Sequence, residues 1–183
     1  MKIIEEKTPK SYSRTVYVWK GLAKRKAKWG HDKRRVSVDQ DNVYYAGRTT
    51  VDVEQRLIAP YAAKGYGKRD DVQLIALHEA NESENSYELE NNAIYTLTVF
   101  EKIMRSKDRK CECLNVNYNN EGERLRINMT LLKHLCNEHD IDFKDECRKL
   151  KQEKIKEAQD EIQELKAKIN KLKKLSLDKV WST

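Results

Sequence analysis

Apolar positions fall into short runs in the first half of the chain and into helical steps further on. Thr15-Val16-Tyr17-Val18-Trp19 and Val43-Tyr44-Tyr45-Ala46 are rich in β-branched and aromatic residues, which predicts two strands. Val72, Leu74, Ala76 and His78 alternate with Gln73, Ile75 and Leu77 in an almost continuous apolar run, and this predicts a third, largely buried strand. Residues 51–63, VDVEQRLIAPYAA, begin as a short helix after the cap candidates Thr49 and Thr50, with Val53, Leu57 and Ile58 at helical spacing until Pro60. Between Tyr87 and Met104 the residues Leu89, Ala93, Ile94, Leu97, Phe100 and Met104 follow three- and four-residue steps, the clearest helix of the main domain. Lys107 to Asn120 is polar and turn-rich, and another helical pattern spans residues 125–136.

The last segment has a different period. Ile155, Ala158, Ile162, Leu165, Ile169 and Leu172 step by three and four in alternation, a heptad seam with Ile at the a-type positions and Ala or Leu at the d-type positions. That pattern favours a two-stranded parallel coiled coil, and hence a homodimer; the alternative is one amphipathic helix folded back on its own domain. Glu157, Glu161, Lys166 and Lys168 fit the solvated flanks.

Composition narrows the function classes. The chain has 183 residues, 6 Gly and 2 Pro, which suits one domain with an appendage. No stretch approaches the ~20 apolar residues of a membrane span, and MKIIEEKTPK has no apolar core of a signal peptide, so the expectation is a cytoplasmic protein with no membrane partner. The net charge of +7 hides a polarity: residues 1–50 carry +8, residues 51–146 carry −6 and residues 147–183 carry +5. Lys20 to Arg35 holds eight bases and one acid around Trp29, among them Lys24, Arg25, Lys26, Lys28, Lys33, Arg34 and Arg35. Such a cluster attracts a phosphate backbone, and the aromatic can stack on a base; a solvated basic loop is the alternative.

Several chemistries find little support. Cys111-x-Cys113, Cys136-x-x-His139 and Cys147 contain enough donors for zinc, but the spacing is poor, and free cysteines packed as small hydrophobes fit better. No Cys/His or Ser/His/Asp pattern stands out, and Lys64-Gly65-Tyr66-Gly67-Lys68 matches no phosphate-loop signature. What remains is a set on successive elements: Tyr17 and Tyr45 in strands, Arg56 in the following helix and Glu90 near the start of the long helix. A carboxylate can hold one divalent metal ion, an arginine can clamp a phosphate, and a tyrosine can order or deprotonate water, so these types suffice to hydrolyse a phosphodiester.

The motif pattern resembles the GIY-YIG nuclease superfamily over about residues 12–120. Val16-Tyr17 precedes Tyr45-Ala46-Gly47-Arg48-Thr49, which is followed by Glu54-Gln55-Arg56-Leu57; Ser86 to Ile94 looks like the glutamate helix, and Asn115-Val116-Asn117 is similar to the closing asparagine segment. The chain departs from the family in lacking the first glycine, in Ala46 and in Pro60, which stands where a histidine is often found and leaves that role to His31, Tyr61 or His78.

The resemblance implies an α+β domain over residues 1–120 with a three-stranded antiparallel sheet flanked by helices and an inserted basic loop at 20–35. A helical extension at 121–150 and a coiled coil or amphipathic helix at 151–177 would follow. The implied activity is Mg2+-dependent hydrolysis of double-stranded DNA, with Mn2+ able to substitute. Glu90 would bind the metal, Arg56 would hold the scissile phosphate and Tyr17 would activate water with Tyr45 assisting, although Tyr17, Tyr45 and His31 all stand as candidate bases. Lys20 to Arg35 and Arg48 would grip the backbone. A dimeric restriction enzyme is the preferred subtype; a homing or mobile-element endonuclease and a non-catalytic DNA-binding coiled-coil protein are the alternatives.

Overall fold

The structure is a computed structural model. It describes residues 1–3, 14–21, 42–50, 53, 72–81, 83–115 and 125–180, with the backbone alone at 2–3 and 174–180. The chain divides into two compact units, residues 1–140 and 141–183.

The first unit is an α+β fold built on strands β1 (Lys2–Ile3), β2 (Thr15–Gly21), β3 (Val43–Thr49), β4 (Val72–Glu79) and β5 (Glu112–Cys113). They form one sheet in the order β1-β4-β2-β3-β5. The three expected strands are its antiparallel centre, with Tyr17 opposite Gly47 on one side and Leu77 on the other. The sheet nevertheless has five strands rather than three, and β5 runs parallel to β3. Both additional strands are two residues long, too short to carry a period of two. β5 is joined to β3 through Glu112 N–H donating to Asn42 C=O at 2.9 Å and Leu114 N–H donating to Tyr44 C=O at 2.8 Å.

β2 is central and buried on both faces, as its apolar run requires. Between Val18 and Trp19 its β4 partner jumps from Ala76 to Leu74, leaving Ile75 as one extra residue on β4. This bulge keeps Leu74 and Leu77 on the face of Tyr17 and Trp19, where they join Val43, Val53, Tyr45 and Leu114 in one cluster. Val53 is the one described residue of the expected helix at 51–63; it is helical and fully buried.

The opposite face carries helix α1 (Ser86–Arg105), which buries Ala93, Ile94, Leu97, Phe100 and Met104. The Phe100 ring meets Tyr44 edge-on at 5.8 Å. Asn85 caps α1 by accepting the Tyr87 N–H at 3.0 Å, which sets where the helix begins. Helix α2 (Met129–Glu138) packs on α1 and buries Leu131, Leu132, Leu135 and Cys136. It starts four residues later than its apolar pattern suggests because Asn128 is its cap, accepting the Leu131 N–H at 3.0 Å, while Asn128 N–H donates to Thr96 on α1 at 2.8 Å.

The second unit is dominated by helix α3 (Phe143–Val180). Asp142 caps it, accepting from the N–H groups of Lys144 at 2.9 Å and Asp145 at 3.2 Å. The division expected at residue 150 falls inside this helix, because the heptads begin only at Ile155 whereas the helix begins at its cap. Every residue from 151 to 173 is exposed. Among the described residues, no helix is long and apolar enough to cross a membrane.

Candidate active site

Tyr17 and Tyr45 occupy the same face of neighbouring strands, one diagonal step apart, because Tyr17 pairs with Gly47 and Trp19 pairs with Tyr45. Their ring centroids lie 6.4 Å apart, and Trp19 stacks on Tyr45 at 5.4 Å. Gly47 makes this arrangement possible. A Cβ at residue 47 would stand 2.6 Å from the Tyr17 hydroxyl oxygen and 2.9 Å from Tyr45 Cε1, so the Tyr17 phenol lies across a backbone that only glycine leaves clear.

Asn115 fixes the backbone between these tyrosines. Its Oδ1 accepts the Ala46 N–H at 2.9 Å and its Nδ2 donates to the Ala46 C=O at 2.7 Å, so one side chain satisfies both polar groups of a fully buried residue. The amide acts as one more rung of the sheet beyond β5.

β3 ends beside the first turns of α1, and these elements with β2 line an open cavity of about 490 Å³ walled by Tyr17, Tyr45, Arg48, Thr49, Thr50, Ser86 and Glu90. Arg48 Nε stands 3.0 Å from Glu90 Oε2, and the guanidinium lies 5.1 Å from the centre of the Tyr87 ring. Glu90 retains 18% side-chain exposure and Arg48 47%, so both are open to a ligand. Glu88, two residues earlier on α1, is exposed and does not line the cavity, as the helical period requires.

Of the four expected catalytic residues, the structure thus brings Tyr17, Tyr45 and Glu90 to one cavity; Arg56 lies outside the described residues. Lys24, Arg25, Lys26, Lys28, Lys33, Arg34 and Arg35 lie outside them as well, as do His31 and Tyr61. His78 hydrogen-bonds Glu84 at 3.1 Å and is not part of the cavity wall. Arg48, expected only to grip the DNA backbone, is paired with the candidate metal ligand. Thr49, Thr50 and Ser86 were not expected in the site; their one sequence signal is adjacency to the Tyr45–Arg48 and Glu90 motifs.

Among the described residues, no group of three or more His, Cys, Asp or Glu is arranged to hold a metal ion. A Mg2+ site asks for less, since this ion keeps several waters and is commonly held by one or two carboxylates together with substrate phosphate. Glu90, on the cavity wall, fits that donor set. Cys111 and Cys136 are buried and Cys113 and Cys147 partly so, and burial pushes the Cys111 thiol strongly up, which favours its protonated form.

A second polar cluster lies at the start of β3. The Tyr44 hydroxyl is 2.8 Å from His139 Nε2, and Lys20 pairs with Glu138 while lying 5.9 Å from the centre of the Tyr44 ring. Burial, reinforced by Glu138 and Cys111, pushes the Tyr44 phenol far up, so it stays protonated. Burial, aided by the cations Lys20 and Arg109 and opposed by the anions Glu138 and Asp140, holds His139 below the ordinary imidazole value.

Comparison of the chain with family models, curated proteins and solved structures gives no match.

Proposed function

We propose that this chain is a metal-dependent endonuclease of the GIY-YIG type that hydrolyses the phosphodiester bonds of double-stranded DNA, acting as a restriction-type homodimer. The observation that carries this reading is the meeting of Tyr17, Tyr45 and Glu90, from two strands and a helix, around one open cavity. A module that only binds DNA has no need to gather two phenols and a carboxylate at one point; hydrolysis does.

In this mechanism Tyr17 orders the attacking water and accepts its proton, and Tyr45, held by Trp19, assists. An ordinary phenol has a pKa near 10, so this role requires positive charge from the metal or a neighbouring cation; Arg48 lines the same cavity. Glu90 is the residue that would hold Mg2+ or Mn2+, which when bound would neutralise charge on a phosphate oxygen and assist the leaving oxygen. Arg56 clamps the scissile phosphate, and the bases between Lys20 and Arg35 hold the backbone on either side. Pairing of two copies supplies one active site for each strand.

The test is cleavage of supercoiled and mixed-sequence linear DNA with Mg2+ at fixed salt, comparing the wild type with Glu90→Ala and Arg56→Ala. Discrete fragments that disappear in both variants while DNA binding persists are the expected result. Nicking or random degradation lost in both variants would retain the nuclease and remove the restriction-type dimer. A wild type that binds DNA and cuts none of a wide sequence set with either metal would move the reading to a DNA-binding module.

A further inference from the structure

We infer that helix α3 pairs with a second copy of itself in antiparallel orientation, opposite to the parallel coil that its Ile and Leu positions alone suggest. The inference rests on the dimeric part of the proposed function and not on its chemistry, so it is tested by association rather than cleavage.

The surface is a stripe of large apolar side chains. Ile155, Ile162, Leu165 and Ile169 are each about half exposed and Leu172 is 65% exposed, all on one heptad seam of a continuous helix. Leaving five such side chains in water at regular spacing is costly, and a seam of this period fits another helix of the same period. The seam ends where the pattern turns polar: Arg148 and Lys151 occupy the preceding a and d positions, and Ser176 occupies the next a position. About 27 Å of helix is therefore available for pairing.

Two observations select the orientation. The first is charge. Residues 153–164 carry five acids and two bases, whereas residues 165–174 carry five bases and no acid. A parallel pair sets acidic half beside acidic half and basic half beside basic half; an antiparallel pair sets each acidic half against a basic one. At the flanking positions the parallel pair gains Glu161 with the partner's Lys166 twice, by symmetry, but also opposes Lys168 to the partner's Lys173 twice. The antiparallel pair joins Glu161 to the partner's Lys168 twice, by symmetry, and its remaining flanks match Gln159 with the partner's Lys166, Gln152 with the partner's Lys173 and Lys154 with the partner's Leu175, with no like charges opposed.

The second is volume. A parallel pair stacks Ala158 on the partner's Ala158 and leaves a gap in the seam. The antiparallel register places Ile155 against the partner's Leu172, Ala158 against the partner's Ile169 and Ile162 against the partner's Leu165. All six seam residues are used, and each small residue faces a large one. The N-termini of the two helices then lie at opposite ends of the paired segment.

The experiment is sedimentation equilibrium of the full chain with exposed-residue variants, checked for helicity by circular dichroism. The wild type is expected to dimerise and Leu165→Asp to be monomeric with its helicity away from the seam retained. Lys168→Glu is expected to raise the dimer dissociation constant roughly three- to tenfold, because the new carboxylate would face Glu161 of the partner subunit; the double variant Glu161→Lys/Lys168→Glu is expected to restore it. Lys166→Glu is expected to leave it nearly unchanged. A wild type that stays monomeric across the accessible concentration range would overturn both the dimer and its orientation. A tighter dimer from Lys168→Glu with a weaker one from Lys166→Glu would keep the dimer and overturn the orientation.

Discussion

Arg48 and Glu90 meet at 3.0 Å on the wall of the cavity, one from the end of β3 and the other from the second turn of α1. The pair is partly exposed, so its own contribution to stability is under about 1 kcal/mol. Its consequence is chemical, because the guanidinium occupies the carboxylate proposed to hold the metal and is itself placed to meet a phosphate. Arg48→Ala is therefore expected to change the melting temperature little while lowering DNA cleavage roughly tenfold to a hundredfold, the size of a lost charge-assisted phosphate contact. Parallel thermal melts and cleavage rates check this, and an equal loss in both would make Arg48 a structural residue.

Tyr17→Phe and Tyr45→Phe remove only hydroxyl oxygens from rings that stay packed against each other and Trp19. A general base contributes about 10²- to 10⁴-fold, and an assisting group less. The expected order is thus a larger loss of cleavage rate for Tyr17→Phe than for Tyr45→Phe, with DNA binding retained in both. The reverse order, measured under single-turnover conditions, would exchange their roles.

Gly47→Ala addresses the same phenols from the backbone. The new methyl group would stand 2.6 Å from the Tyr17 oxygen and 2.9 Å from the Tyr45 ring, and Tyr17 is 1% exposed, so its ring has little room to withdraw. Overpacking of this kind costs about 1–3 kcal/mol. We expect a destabilisation in that range by chemical denaturation and a loss of cleavage at least as large as that of Tyr17→Phe, since the substitution displaces both hydroxyls.

How far the sequence anticipates this architecture can be followed through single residues. The composition of 15–19, 43–46 and 72–78 is enough to place the central strands, and the three- and four-residue steps after Tyr87 place α1. The edge strands escaped because two residues have no period, and the start of α2 was displaced because the Asn128 side chain, not the apolar pattern, ends the preceding loop. Within the site, Tyr17, Tyr45 and Glu90 were reachable through motif resemblance. The partnership of Arg48 with Glu90 was not: 42 positions separate them, and from the sequence Arg48 is assigned only to the DNA backbone. Likewise Gly47 reads as a motif letter in sequence and acquires a physical reason only when Tyr17 is seen lying across it.

His139 supplies a pH dependence whose sign follows from its surroundings. Burial is the largest influence and Lys20 and Arg109 add to it, so the folded-state pKa lies below the ordinary 6.5, against the pull of Glu138 and Asp140. The unfolded chain then binds a proton more readily than the folded one between those two values. This part of the stability is fully present above about pH 6.5 and is lost as the pH falls through the folded-state value. Thermal melts across that window are expected to show a decline that His139→Gln flattens, because glutamine can still hydrogen-bond the Tyr44 hydroxyl but takes up no proton.

Asn115 offers the sharpest separation of scaffold from chemistry, because it touches the backbone that carries the tyrosines and does not line the cavity. Asn115→Ala strands both the N–H and the C=O of fully buried Ala46, and each stranded group costs about 1–3 kcal/mol. Asn115→Asp retains an acceptor for the N–H but sets a carboxylate against the Ala46 carbonyl, so it is expected to be no better than alanine, whereas a water able to enter the alanine site would soften the alanine loss. Denaturation midpoints measure the first effect. Cleavage rates measured where each variant remains fully folded measure the second, and there the decline should be smaller than that of Tyr17→Phe, because the phenols and Glu90 are all still present. A folded Asn115→Ala protein that has lost as much activity as Tyr17→Phe would mean that the Ala46 backbone must be held to within a fraction of an ångström for the tyrosines to act, and would make the Asn115 amide a positioning residue of the reaction as well as a rung of the sheet.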